Sequence, residues 1–345
     1  MPRVALADLL GRRVVVRRVV ERSTAGTRYA DVVGVLVAAD PGRLAVRRAD
    51  GSVHAVDLAD VHRVKPVRPA PADILALEEV AALGWPAPDA EWLGRWLLRA
   101  AGGWTGRANS VLPLGDPGLA LDPALAEVAA WYGARGLRPR FQLPLPARAP
   151  LGDALAARGW TAYNPTAVLT ADVEVTLAAL ADRADLPPVL LEPVPSAGWL
   201  GAYHYRGGTE LPPFAVRVMT AAERPVFASV TDGGTVAAIA RGVLDRGWLG
   251  VTAVEVAASH RRQGLATHIM RALLDWASRG SATRGSATGG SATGGWAAGG
   301  WAAGDRAVSA YLQVAEENEA ALAFYERLRF ARHHRYQYVL APEEA

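Results

Sequence analysis

The sequence predicts an α+β protein in three parts: a small β-barrel, a mixed α/β middle region, and a C-terminal domain with a central sheet flanked by helices. Three observations predict it. Residues 11–66 hold five short, β-branched or alternating runs broken by turn residues. A stiff Pro-rich stretch follows, Lys65-Pro66-Val67-Arg68-Pro69-Ala70-Pro71, and marks a boundary. In the last third of the chain, β-rich runs alternate with segments of helical apolar period.

In chain order, Arg13 to Val20, Val32 to Val37, Arg43 to Arg48, Val53 to Val56 and Val61 to Val64 read as strands, with Ala49-Asp50-Gly51-Ser52 as a hairpin turn. Short strands with tight turns suggest an SH3-like barrel over residues 1–68. Residues 72–172 form the middle region. Ile74 to Ala82, Asp89 to Ala101 and Pro123 to Gly133 read as helices, and Ala108 to Leu114 and Arg140 to Leu145 as strands. The third domain spans residues 190–342. Within it, residues 279–304 are low-complexity: Ser-Ala-Thr recurs at 281, 286 and 291, and Gly-Gly-Trp-Ala-Ala occurs twice. Such a stretch buries little and reads as an expanded, flexible surface loop.

The segment Arg261-Arg262-Gln263-Gly264-Leu265-Ala266 lies between a strand, Trp248 to Val256, and a helix, Leu265 to Ser278. The helix has one apolar face, from Ile269, Leu273, Leu274 and Ala277. A glycine-bearing loop opening directly into a helix presents free backbone N–H groups and the positive end of the helix dipole, which suits a phosphate or pyrophosphate. Downstream, Val308 to Val314 reads as a strand and Glu316 to Leu328 as a helix. Asn318, at a capping position, and Tyr325 stand seven apart, on one helix face.

This R-x-x-G-x-A loop followed by an N-x6-Y helix resembles the GNAT (GCN5-related) N-acetyltransferases over roughly residues 190–340. The run Phe324-Tyr325-Glu326-Arg327-Leu328-Arg329-Phe330 is similar to that superfamily's Y-E-K-L-G-F, with Arg329 where Gly is usual. The arrangement resembles an actinobacterial group with an SH3-like N-terminal domain. The resemblance implies a mixed, splayed central sheet and acetyl-CoA as co-substrate. It implies that the loop amides from Arg262 to Thr267 hold the pyrophosphate, with the Arg261 and Arg262 side chains adding charge. The cofactor-binding set is then Val254, Val256, Arg261, Arg262, Gln263, Gly264, Leu265, Ala266, Thr267 and Asn318. Val254 and Val256 offer backbone groups to the pantetheine arm, the Val256 N–H faces the oxyanion, and Tyr325 is the catalytic acid that protonates the leaving thiolate.

No general base follows from the sequence. Strand alternation puts Glu255 on the face opposite Thr252, Val254 and Val256, so it reads as a structural charge. Glu210, Asp245 and His204 fall in regions that could line the acceptor side, and Tyr203, Tyr205 and Arg206 are candidates for acceptor contacts. In the middle region, Trp131-Tyr132 leading to Phe141-Gln142-Leu143 echoes Phe324-Tyr325 leading to Tyr336-Gln337-Tyr338. Residues 72–172 thus read either as a degenerate GNAT-like half or as unrelated α+β packing. Leu125, not Asn, precedes Tyr132 by seven, so no second cofactor site is expected there.

Composition narrows the chemistry. The 345 residues contain no cysteine, which excludes disulfides, thiolate metal sites and an acyl-cysteine route, leaving direct attack by the acceptor amine. No metal is expected. No apolar run is long enough to span a membrane, and the start lacks a secretory apolar core, so a cytoplasmic enzyme is expected. Thirteen Arg or Lys stand against seven Asp or Glu in residues 1–70, a charge that could suit nucleic acid. Tyr29 is the only aromatic residue there, so no stacking platform accompanies it. The expected partners are an acyl-CoA and an amine, with a homodimer compatible. The competing reading is a non-catalytic acyl-CoA-binding or nucleic-acid/protein-binding regulator.

Overall fold

The computed structural model describes residues 5–24, 26–204, 208, 211–280 and 306–343. Tyr205, Arg206, Glu210 and nearly all of the 279–304 stretch lie outside the described residues.

The first five strands are β1 (Arg13–Ser23), β2 (Gly26–Asp40), β3 (Arg43–Arg47), β4 (Val53–Asp57) and β5 (Val61–Pro66). They form an antiparallel sheet of order β4-β3-β2-β1-β5. Val14, Val16, Leu36, Leu44 and Val46 turn to one side and are fully buried there, the period-2 consequence of their spacing. Where a closed barrel was expected, β4 and β5 are opposite edges, and no β4–β5 ladder joins them among the described residues. A three-residue helical turn, Leu58–Asp60, carries the chain from β4 across to the far side of β1.

After α1 (Pro71–Gly84), with a proline at its start, come β6 (Asp89–Leu93) and β7 (Trp96–Ala100). These two replace the helix expected over Asp89–Ala101. Gly94 adopts φ +54° in the turn between them, and a Cβ there would stand 2.3 Å from the Pro117 backbone. The apolar spacing of Trp92, Trp96 and Leu97 fits a helix, but that backbone position closes a hairpin. The strand expected over Ala108–Leu114 shrinks to β8 (Leu112–Pro113).

Next are α2 (Leu121–Gly133), β9 (Arg140–Leu145), α3 (Ala149–Ala156), β10 (Thr161–Asp172), α4 (Val173–Ala179), β11 (Val189–Glu192), α5 (Ala197–Ala202) and α6 (Pro213–Thr220). The chain ends with β12 (Pro225–Asp232), β13 (Thr235–Asp245), β14 (Trp248–Val256), α7 (Leu265–Arg279), β15 (Ser309–Ala315), α8 (Glu319–Arg327) and β16 (Ala331–Leu340).

One element order occurs twice: β6-β7-β8-α2-β9-α3-β10, then β12-β13-β14-α7-β15-α8-β16. In each set two antiparallel pairings precede a parallel step, the Val111–Phe141 bridge in the first and β14–β15 in the second. The sets exchange strands in an eight-stranded sheet of order β11-β12-β13-β14-β15-β10-β16-β9. Strand β10 sits between β15 and β16, and β16 pairs with β9, so the sheet runs across the boundary expected between residues 172 and 190. The Trp131-Tyr132 echo is therefore misplaced: α2 corresponds to α7. The counterpart of α8 is α3, whose C-cap bond from Trp160 N to Leu155 O matches that from Phe330 N to Tyr325 O. Leu155 stands where Tyr325 does.

Candidate active site

The sheet forks between β14 and β15. The two strands are parallel and pair only from Trp248–Ser309 to Val251–Leu312, after which each continues without the other. A bulge in β14 produces this. Ile239 opposes Glu255 while Arg241 opposes Thr252, so one residue of β13 faces two of β14, and Ala253 takes φ +54°. The extra residue reverses the alternation that had placed Glu255 away from Thr252. Val254 and Val256 pack on the α7 side of the sheet with Tyr325. Glu255 turns to the other side, where its partner residue Ile239 joins Trp199 and Tyr203 in a second core.

There Glu255 lines a cleft of 770 Å³ together with Gly201, His204, Ile239, Val256 and Arg261. Its carboxylate oxygens accept the His204 backbone N–H at 3.0 and 3.2 Å, and the His204 ring Nδ1 lies 3.3 Å from Oε2. A carboxylate and an imidazole in contact at the open end of a forked strand can take up and relay a proton. Plain strand alternation puts Glu255 on the wrong face because a bulge has no signature in the residues around Ala253. Asp245 closes the opposite end of β13 beside Trp248, and burial raises its carboxyl pKa there, away from the cleft.

The loop after β14 has the geometry an anion needs. Arg262 and Gly264 take φ +64° and +92°, and the first helical bond of α7 runs from His268 N to Gly264 O at 2.9 Å. The amides of Leu265, Ala266 and Thr267 precede that bond and point out of the helix end. Leu265 anchors the turn in the core, while Arg261, Arg262 and Gln263 are exposed. Arg261 Nε donates to Val256 O and Gln263 Nε2 to Ser259 O, both at 3.4 Å. Arg183, unforeseen from the sequence, also reaches this loop: a Cβ on Gly264 would stand 2.7 Å from its Nη1. Arg183 forms a two-point pair with Asp185 at 2.7 Å and thereby holds that carboxyl down to about 2. His268 Nε2, 3.0 Å from Pro187 O, holds the same segment to α7.

Across the fork, Asn318 caps α8, its Oδ1 accepting Ala321 N at 3.0 Å. Tyr325, two turns on, is buried between Phe324 and Phe330. Burial raises its phenol pKa well above the usual value, so the group keeps its proton. Arg329, standing where the resemblance expects Gly, adopts that glycine's left-handed conformation at φ +64°. The structure thus brings Val254, Val256 and Tyr325 into one cluster, with the loop from Arg261 to Thr267 at the end of β14 and Asn318 on the rim of α8.

Comparison with known proteins agrees with this geometry. Residues 71–294 match the family described as probable histone acetyltransferase Rv0428c C-terminal. The chain is 31% identical over 290 residues to the probable histone acetyltransferase Rv0428c of Mycobacterium tuberculosis, covering 79% of this chain and 85% of that one. It is 27% identical over 273 residues to the uncharacterized N-acetyltransferase YobR of Bacillus subtilis, covering 75% and 95%. Among solved structures, a GCN5-related N-acetyltransferase from Kribbella flavida aligns with TM-score 0.50 and 18% identity, over 78% of this chain and 95% of that one. A tandem GNAT protein from the clavulanic acid biosynthesis pathway aligns with TM-score 0.51 and 14% identity, over 80% and 90%. The chain belongs to the Rv0428c C-terminal family of the GNAT acetyltransferase superfamily.

Proposed function

We propose that this acetyltransferase moves an acetyl group from acetyl-CoA to a primary amine by direct attack, in the half formed by β12 to β16. The fork beside the left-handed Gly264 turn carries the reading. It combines strand edges free to bind an extended amide-bearing arm with a helix end free to bind its pyrophosphate. Glu255, steadied by His204, takes the amine proton, the nitrogen bonds to the acetyl carbon as the C–S bond breaks, and Tyr325 gives its proton to the sulfur. The amides of residues 265–267 hold the diphosphate, and Asn318 contacts the arm.

The half formed by β6 to β10 has Leu155 at the tyrosine position, and its β8–α2 link, Leu114-Gly115-Asp116-Pro117-Gly118, has an acid and no arginine. One cofactor site per chain follows. The N-terminal sheet we read as an SH3-like accessory domain, and the enzyme as cytoplasmic. No helix among the described residues is long and apolar enough to cross a membrane.

Incubation with acetyl-CoA and a pool of primary amines, followed by thiol release and product mass, tests the reading. Amine-dependent thiol release that Glu255→Gln suppresses supports it. Thiol release indifferent to added amine contradicts it.

A further inference from the structure

The fork carries two arginines with no counter-charge. Arg241, on β13, is fully buried, with 0% exposure. Its Nε donates to Met219 O at 2.8 Å and its Nη1 to Gly84 O at 3.0 Å and, more weakly, to Thr252 Oγ1 at 3.5 Å, while its buried Nη2 has no partner. Arg107, half-buried, comes from the turn between β7 and β8 in the middle region and donates to Gln313 Oε1 at 2.8 Å. The Gln313 Nε2 is buried and also without a partner. Both guanidiniums stand on the Trp85 ring, their Cζ atoms 4.9 and 5.1 Å from its centroid, and among the described residues no carboxylate pairs with either.

Their placement has a pattern. Thr252 and Gln313 are the first residues past the last paired couple, Val251–Leu312, so a cation contacts each prong where the strands part. Ile239, which lines the Glu255 cleft, lies two residues from Arg241 on the same face, about 7 Å along the strand. Burying an arginine without an anion is expensive, and leaving its donors unmet adds to the cost. Burial, with Arg107 adding to it, pushes the Arg241 guanidinium down to about 9. A bound anion would reverse both penalties.

Building on the acetyl-transfer reading, we propose that Arg107 and Arg241 bind a carboxylate of the acceptor, so that the acceptor is a small amine that also carries an acid. The amine reaches Glu255 and the carboxylate reaches the two guanidiniums on the Trp85 side of the sheet, leaving the strand edges of the fork to the cofactor arm. The middle region, which lacks a cofactor site of its own, thereby supplies a specificity residue to its partner half.

The test measures thiol release from acetyl-CoA with α- and ω-amino acids of two to six carbons, each beside its carboxamide. The acids should exceed their amides in kcat/KM by about 10- to 100-fold, the range for a hydrogen bond between charged groups. Arg107→Met should erase that gap by raising KM for the acids alone, and Arg107→Lys should restore part of it. Equal rates for acids and amides overturn the proposal. So does a fall in kcat for every acceptor alike in Arg107→Met, which would mark an oxyanion or structural role. Absence of turnover with the whole panel, while acetyl-CoA binds in calorimetry, overturns it as well. Absence of acetyl-CoA binding instead overturns the underlying acetyl-transfer reading.

Discussion

Glu255 and His204 are joined twice: the carboxylate accepts the histidine's backbone N–H at 3.0 Å and lies 3.3 Å from its ring Nδ1. The link ties the end of the bulged β14 to the turn that leaves α5, and it fixes the carboxylate on the cleft side of the sheet. Removing the charge tests its role. Glu255→Gln should lower kcat by about 10²- to 10⁴-fold, the usual contribution of a positioned base, and leave the acetyl-CoA Kd within about twofold. Steady-state kinetics with calorimetry checks both. Unchanged kcat would remove Glu255 from the reaction.

Tyr325 has the opposite character, an acid kept protonated by burial. Tyr325→Phe removes one hydroxyl from a packed aromatic cluster and should lower kcat by at least about tenfold, with little change in cofactor affinity. The sign of the shift makes a second statement: since the folded-state pKa lies above the ordinary phenol value of 10, the rate should show no fall between pH 8 and 10 from loss of this proton. A basic limb in that window that disappears in Tyr325→Phe would contradict the assignment.

Gly264 holds a left-handed turn just ahead of α7. Its φ of +92° disfavours any side chain, and a Cβ would crowd the mobile end of Arg183, which can swing away. Gly264→Ala should therefore cost about 1 kcal/mol in stability, from the backbone term alone. Urea denaturation reads this, and a cost above about 3 kcal/mol would mean that the loop is more tightly packed than its contacts indicate.

His333, half-buried, and His334, buried, have their Nδ1 atoms 2.8 Å apart, and His334 Nε2 lies 2.8 Å from the buried Glu78 carboxylate. Burial, with His334 beside it, lowers the His333 pKa to about 4. The folded state prefers neutral His333, so this group's contribution to stability is present above pH 6.5 and is lost as pH falls toward 4. Urea midpoints at pH 7.5 and 4.5 should differ less in His333→Asn than in the wild type. An equal drop in both would assign the acid sensitivity elsewhere.

Much of this site was legible in the sequence because it depends on local chemistry. The Arg261–Ala266 loop, the Asn318 cap and the Tyr325 face are set by spacing along one or two elements, and the structure places each on the element expected. Three features were not legible because they depend on pairing between distant segments. The Ala253 bulge that turns Glu255 inward comes from the β13 register. The hairpin at Gly94 is fixed by contact with Pro117. The exchange of β10 and β16 between the halves leaves no mark on the periodicity of either strand.

On the proposed reading each chain has one acetyl-CoA site, built on the Gly264 loop and the β14–β15 fork. Titration calorimetry of the wild type and Gly264→Asp with acetyl-CoA tests it most directly, since a carboxylate at that position opposes the diphosphate. Micromolar binding at a stoichiometry of one, and its loss in the variant, are the expected results. A stoichiometry of two, no binding to the wild type, or unchanged binding to Gly264→Asp would contradict it.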